Sequence, residues 1–193
     1  MNSTAMSDDR KALWLGLVAV LFWATAATAF KLALRTQDVY QLLAISVSCS
    51  ALTLWLIVLW RGDGAATLVE LRRRPLYFLC MGTLNPLLFY LAVLRAYELL
   101  PAQQAQTINY TWAVALAIFA VPILGHRLGW RDIAAVCLGY LGVVIIATRG
   151  QLLPLQFDSL EGVACALAST VFWALYWLAK TGDSSDPVSS LCL

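Results

Sequence analysis

The sequence predicts an all-α polytopic membrane protein: a five-helix repeat followed by the first helix of an inverted second repeat. Three observations predict it. Apolar residues make up 61% of the chain and charged residues 12%, about half the roughly 25% usual in soluble domains. Polar surface is therefore too scarce to coat a water-soluble core. Six apolar segments approach the ~20 helical residues that cross a hydrocarbon core of ~30 Å. Features of the first segment also recur, in the same order, around the sixth.

Span 1 runs from Ala12 to Phe30 without a charge. Arg10, Lys11 and the small-residue run Ala24-Thr25-Ala26-Ala27-Thr28-Ala29 imitate a secretion signal. The apolar run continues through those small residues, so the segment reads as an uncleaved span. Span 2, Val39 to Trp60, is closed by Arg61-Gly62-Asp63-Gly64. Span 3, Leu76 to Leu94, carries Asn85-Pro86 near its middle. Pro86 frees a carbonyl one turn back, near Gly82, and predicts a kink. Span 4, Ala102 to Leu124, follows Pro101, which suits a first helical turn. Pro122 predicts a second kink there, with no ligand role. Span 5, Ile133 to Thr148, contains Gly139 and Gly142, whose spacing suggests close helix packing. Span 6 runs from Gly162 to Ala179. Helices are the expected spanners, because they satisfy their own backbone groups, and the alternation of barrel strands is missing.

Short-loop Lys and Arg set the orientation. With the N-terminus inside, nine of the thirteen fall inside: Arg10, Lys11, Arg61, Arg72, Arg73, Arg74, Arg127, Arg131 and Lys180. Four fall outside: Lys31, Arg35, Arg95 and Arg149. A cytoplasmic N-terminus in a cell inner membrane follows. Trp14, Trp60, Tyr77 and Trp130 suit interface anchors near span ends. The net charge of +2 gives no hint of nucleic acid. The five cysteines are scattered and read as small core residues facing other helices. His126 has no partner at ligand spacing. No metal site, cofactor motif or nucleophile–base pair is legible, so the chain does not read as an enzyme.

Polarity enters the membrane chiefly in span 4. Its apolar part, Thr111 to Leu124, is too short to cross alone, and the missing turns come from the amide-rich stretch before it. At 3.6 residues per turn, Gln103, Gln106, Thr107 and Tyr110 share a stripe that Asn109 borders. Such a stripe avoids lipid. It lines a substrate path, or it is interhelical glue, or the helix end lies among headgroups. Tyr90, four residues after Pro86, shares its face. Arg95 and Glu98 stand three apart and can pair locally or serve the outer mouth. Lys31 ends span 1 and can snorkel to the interface. No carboxylate lies deep in a span, which weakens the case for an acidic proton relay.

Phe22-Trp23-Ala24 and the later Lys31 are echoed by Phe172-Trp173-Ala174 and Lys180. Asp38 opens span 2, and Asp186 opens another apolar run. Five spans separate the copies, so the second is inverted, a common plan of secondary transporters with the site between the halves. Residues 1–150 then form the first repeat and residues 151–193 the start of the second. A whole second repeat needs four further spans, so the chain is expected to be truncated and inactive alone.

Several segments carry a family resemblance. They are Tyr97-Glu98-Leu99-Leu100-Pro101-Ala102, Asn109-Tyr110-Thr111-Trp112, Leu124-Gly125-His126-Arg127-Leu128-Gly129-Trp130 and Leu138-Gly139-Tyr140-Leu141-Gly142-Val143. Together they resemble the EamA branch of the drug/metabolite transporter superfamily. The resemblance implies ten helices in two inverted five-helix repeats, with both termini inside, and export or exchange of small metabolites such as amino acids by alternating access. Where the family commonly has Gly-Glu, this chain has Gly125-His126, which puts any coupling role of that acid in doubt. The implied partners are the bilayer and a small metabolite. The implied cavity is lined by Trp23, Asn85, Tyr90, Gln103, Gln106, Asn109, Tyr110 and Trp173, with amides orienting the substrate and rings holding its apolar or cationic part. Two other classes make different demands. A lipid-acting membrane enzyme needs a catalytic cluster at an interface. A non-transporting subunit needs the span 4 amides to meet a partner chain.

Overall fold

The computed structural model describes residues 3–125, 129–148, 150, 158–183 and 185–193. His126, Arg127 and Arg149 lie outside them. Among the described residues every regular element is helical.

Helix α1, Ser3–Ala33, runs unbroken through the small-residue stretch. Helix α2, Val39–Trp60, starts at a capping box: Asp38 accepts from the Gln41 N–H at 2.8 Å, and Gln41 reaches back to the Asp38 N–H. Gly62, at φ +78°, turns the chain out of α2. Helix α3, Gly64–Arg73, occupies what the sequence reads as loop.

The third span, Pro75–Leu99, is built in three pieces. Helix α4, Pro75–Gly82, gives way to a π-helical stretch, Thr83–Leu88, and helix α5, Phe89–Leu99, completes it. The interruption falls at Asn85, at φ −146° and ψ 114°, before a cis Asn85–Pro86 bond. Pro86 thus breaks the hydrogen-bond ladder where expected. The fourth span, Ala102–Leu124, divides into α6, Ala102–Asn109, and α7, Trp112–Leu124. Helix α7 runs on through Pro122, and the span is interrupted at Tyr110–Thr111.

Helix α8, Trp130–Ala147, is 18 residues long, about 27 Å at 1.5 Å per residue. Helix α9, Leu160–Lys180, is capped by Ser159, and α10, Pro187–Cys192, by Asp186. Among the described residues, α1 from Arg10, α2, the third and fourth spans, and α9 are long and apolar enough to cross a membrane.

Helix α9 is the hub. It packs on α5, α6 and α7, and its Ala166, Ser169 and Ala174 are fully buried. Its first turn lies against the end of α5. A Cβ added at Gly162 would come within 2.7 Å of Leu100 Cγ and 3.0 Å of Leu99 Cβ. The close approach expected of span 5 is corrected by the same measure. A Cβ at Gly139 would meet Val114 at 4.0 Å, and one at Gly142 would meet none of the described residues within 4 Å. The cysteine expectation is corrected too: Cys49, Cys80 and Cys137 are exposed, and Cys165 and Cys192 half-buried.

Polar contacts collect at the two ends of the bundle. At one end the Lys31 ammonium donates to the carbonyls of Tyr97 and Leu100, capping α5. Arg95 pairs with Glu98 at 2.6 Å, as the spacing suggested, and with Glu161 of α9 at 2.8 Å. At the other end Asp183 accepts from Arg74 at 3.0 Å, Tyr77 at 3.0 Å, Lys180 at 2.9 Å and Ser185 at 2.6 Å. Arg61 reaches Asp186 at 3.4 Å. The charges divide between the two ends as antiparallel spans require.

Candidate functional site

Helices α1, α5, α6, α7 and α9 enclose a partly open cleft of about 590 Å³. It is lined by Trp23, Ala26 and Phe30 from α1 and by Phe89, Tyr90, Val93 and Tyr97 from α5. Gln106, Asn109, Tyr110, Trp112 and Trp173 complete it. Six of the eight residues named from the sequence meet here: Trp23, Tyr90, Gln106, Asn109, Tyr110 and Trp173.

The other two lie elsewhere. Asn85 lines a larger cavity of about 1590 Å³ between α2, α4, the π stretch and α9. Gln103 is exposed and lines neither space. The reason is rotation. Helix α6 buries Gln104, Ala105, Ile108 and Asn109, so its inward face is turned about one residue, ~100°, from the expected stripe. Gln104 keeps a buried side-chain carbonyl oxygen without a hydrogen bond among the described residues, as does Gln37.

Rings form the walls. Phe89 lies 4.6 Å from Trp173 and 5.0 Å from Tyr90, centroid to centroid. Phe30 meets Tyr90 edge-on at 6.1 Å, and Trp112 meets Trp173 at 6.3 Å. These are the offset and T-shaped arrangements that aromatic quadrupoles favour. Phe30, Tyr90 and Trp173 face both the cleft and the larger cavity, so they form the partition between them.

Amides supply the polarity. The Tyr97 hydroxyl donates to Gln106 Oε1. Asn109 Nδ2 donates to Ser169 Oγ at 2.8 Å, and Ser169 donates onward to the Ala166 carbonyl at 2.6 Å. Sequence reasoning missed Phe30, Phe89, Tyr97 and Ser169. Tyr97 and Phe89 stand eight apart on one helix, with Val93 between them, and that spacing was the available signal. Ser169 carried none, being a small residue in an apolar run. No group of three His, Cys, Asp or Glu side chains able to hold a metal occurs among the described residues.

Among the described residues the cleft offers stacking surfaces, two amides and no ionised side chain. Membrane-length helices around such a cleft define an integral membrane protein with an internal polar site. The chain belongs to the EamA-like transporter family, whose model matches residues 10–148. It is also 24% identical, over 183 aligned residues, to the aromatic amino acid exporter YddG of Ancylobacter novellus. That alignment covers 93% of this chain and 62% of the exporter, so the chain spans less than two thirds of the relative's length. No solved structure matches it.

Proposed function

We propose that the chain supplies the first five-helix repeat, residues 1–150, and the start of the inverted second repeat, residues 151–193, of an exporter of amino acids with aromatic side chains. The protein works by alternating access in a cell inner membrane, with its N-terminus in the cytoplasm, and carries out transport without covalent chemistry. The observation that carries the reading is the cleft: aromatic walls beside two amides suit a solute with one ring and one polar end. The similarity to an aromatic amino acid exporter points the same way. The Lys and Arg bias supports the orientation.

The test is uptake. The protein expressed from its complete gene and reconstituted in liposomes should take up labelled phenylalanine or tryptophan saturably, each competing with the other. Uptake no greater than in empty liposomes would overturn the proposal. For orientation, a cysteine at Arg73 should react with an impermeant thiol reagent only after cells are opened. Labelling in intact cells would reverse the assignment.

A further inference from the structure

The two amides of α6 stand one turn apart, and each is held by one side chain from another helix. Those holds decide which end of each amide faces the cleft. The Tyr97 hydroxyl has Gln106 Oε1 as its one acceptor among the described residues. The Gln106 carbonyl is therefore occupied, and its Nε2 is left to present two N–H donors. Asn109 is oriented the opposite way. The Ser169 hydroxyl gives its proton to the Ala166 carbonyl, so its oxygen is left only to accept. It accepts from Asn109 Nδ2, which leaves Asn109 Oδ1 as a free acceptor. Gln106 and Asn109 both line the cleft.

We infer that this pair reads a zwitterion: Gln106 donates to the carboxylate and Asn109 accepts from the ammonium of one amino acid, while Tyr97 and Ser169 are positioning residues that fix this polarity. The inference rests on the amino-acid reading above and adds which atom meets which charge. Two neutral amides of opposite presentation match a solute whose opposite charges share one carbon. A donor facing the ammonium, or an acceptor facing the carboxylate, would repel it. Neither amide carries a charge of its own, so the site with a zwitterion bound stays neutral overall in the membrane interior, where net charge is costly. The stacked Phe89 and Trp173 rings are left to the side chain.

The experiment separates the two charges. Labelled phenylalanine uptake into liposomes holding the protein from its complete gene is competed by 2-phenylethylamine, which lacks the carboxylate, and by 3-phenylpropionate, which lacks the ammonium. Wild type should prefer phenylalanine to both. Gln106→Glu keeps the shape and replaces the donor with an acceptor. It should weaken phenylalanine and 3-phenylpropionate by about tenfold or more, the scale of a hydrogen bond to a charge, while 2-phenylethylamine competes as well or better. Tyr97→Phe should move the preference the same way by a smaller factor. Ser169→Ala should weaken phenylalanine and 2-phenylethylamine but leave 3-phenylpropionate unchanged, and Ser169→Thr should restore the wild-type order. A merely structural role would lower all three compounds together, and that uniform loss would overturn the inference while leaving the amino-acid reading standing. A wild type that takes up no phenylalanine would remove the amino-acid reading and this inference with it.

Discussion

Helices α1 and α9 carry the same words and sit in different surroundings. Each carries Phe-Trp-Ala and finishes near a lysine, and each is followed by an aspartate that caps the next helix: Asp38 for α2, Asp186 for α10. Yet only 6% of the apolar stretch of α1 is buried, against 39% of that of α9. Ala174 is fully enclosed, while Ala24 is exposed. Trp173 packs against Phe89, Trp112, Tyr176 and Trp177, while Trp23 is 56% exposed. The lysines differ as well. Lys31 caps helix α5 through backbone carbonyls, and Lys180 joins a carboxylate. The same local code therefore sets where a helix starts and stops, and the neighbours set what its faces do. By the pseudo-symmetry proposed above, the open face of α1 is the one that later helices of a second repeat would cover.

The largest test of this contrast is transport. Trp173→Ala should reduce phenylalanine uptake about tenfold or more, since it removes several ring contacts of ~0.5–1.5 kcal/mol each. Trp23→Ala should cost less than about threefold, since Trp23 makes no such contacts among the described residues. Equal losses would mean that α1 contributes as much to the site as α9.

Stability in detergent sharpens the comparison. Gly162→Ala drives a methyl into Leu100 and should destabilise the protein by about 1–3 kcal/mol. Gly16→Ala on α1 meets nothing within 4 Å and should stabilise the helix by about 0.5–1 kcal/mol. Thermal unfolding of the two variants side by side measures both. A Gly162→Ala variant as stable as wild type would show that the α5–α9 contact is loose.

Lys31→Met should cost about 1–2 kcal/mol, because the last carbonyls of α5 lose a charged donor. Lys31→Arg should recover part of it. No change in unfolding temperature would mean that water caps α5 as well as the ammonium does.

The smallest expected effect concerns pH. Burial pushes the Asp183 carboxyl up, but hydrogen bonds from Ser185, Lys180, Arg74 and Tyr77 outweigh it and hold the group well below the usual carboxylate range. A lowered native value means that its contribution is complete above the unfolded value of about 4 and fades as pH falls below it. The unfolding temperature should owe nothing to Asp183 titration between about pH 5 and 8 and should decline below about pH 4. Asp183→Asn should lower it at pH 7 and flatten that decline. A variant with the wild-type acid limb would show that another carboxylate controls it.

Much of this was legible in the chain. Runs of apolar residues and the charges between them located the spans, because hydrocarbon thickness imposes one length on any helix crossing it. Asp38, Asp186 and Pro86 announced helix starts and an interruption, because caps and prolines act on the nearest turn of backbone. What a helix presents sideways was read less well. Periodicity groups Gln103 with Gln106 but cannot say how far α6 is turned about its axis, and only packing against α5, α8 and α9 set Gln104 and Asn109 inward. The glycines of span 5 had the spacing for close approach, yet the approach occurs at Gly162, because the end of α5 lies there. Tyr97 and Ser169 acquire their roles only when α5, α6 and α9 come together, since a hydrogen bond between helices depends on both partners and sequence order records only one at a time. Composition and local chemistry thus determined the class of molecule and the ends of its helices. Which side chains meet, and which way each amide points, was decided by tertiary packing, where the rotation of one helix depends on the surfaces of all its neighbours.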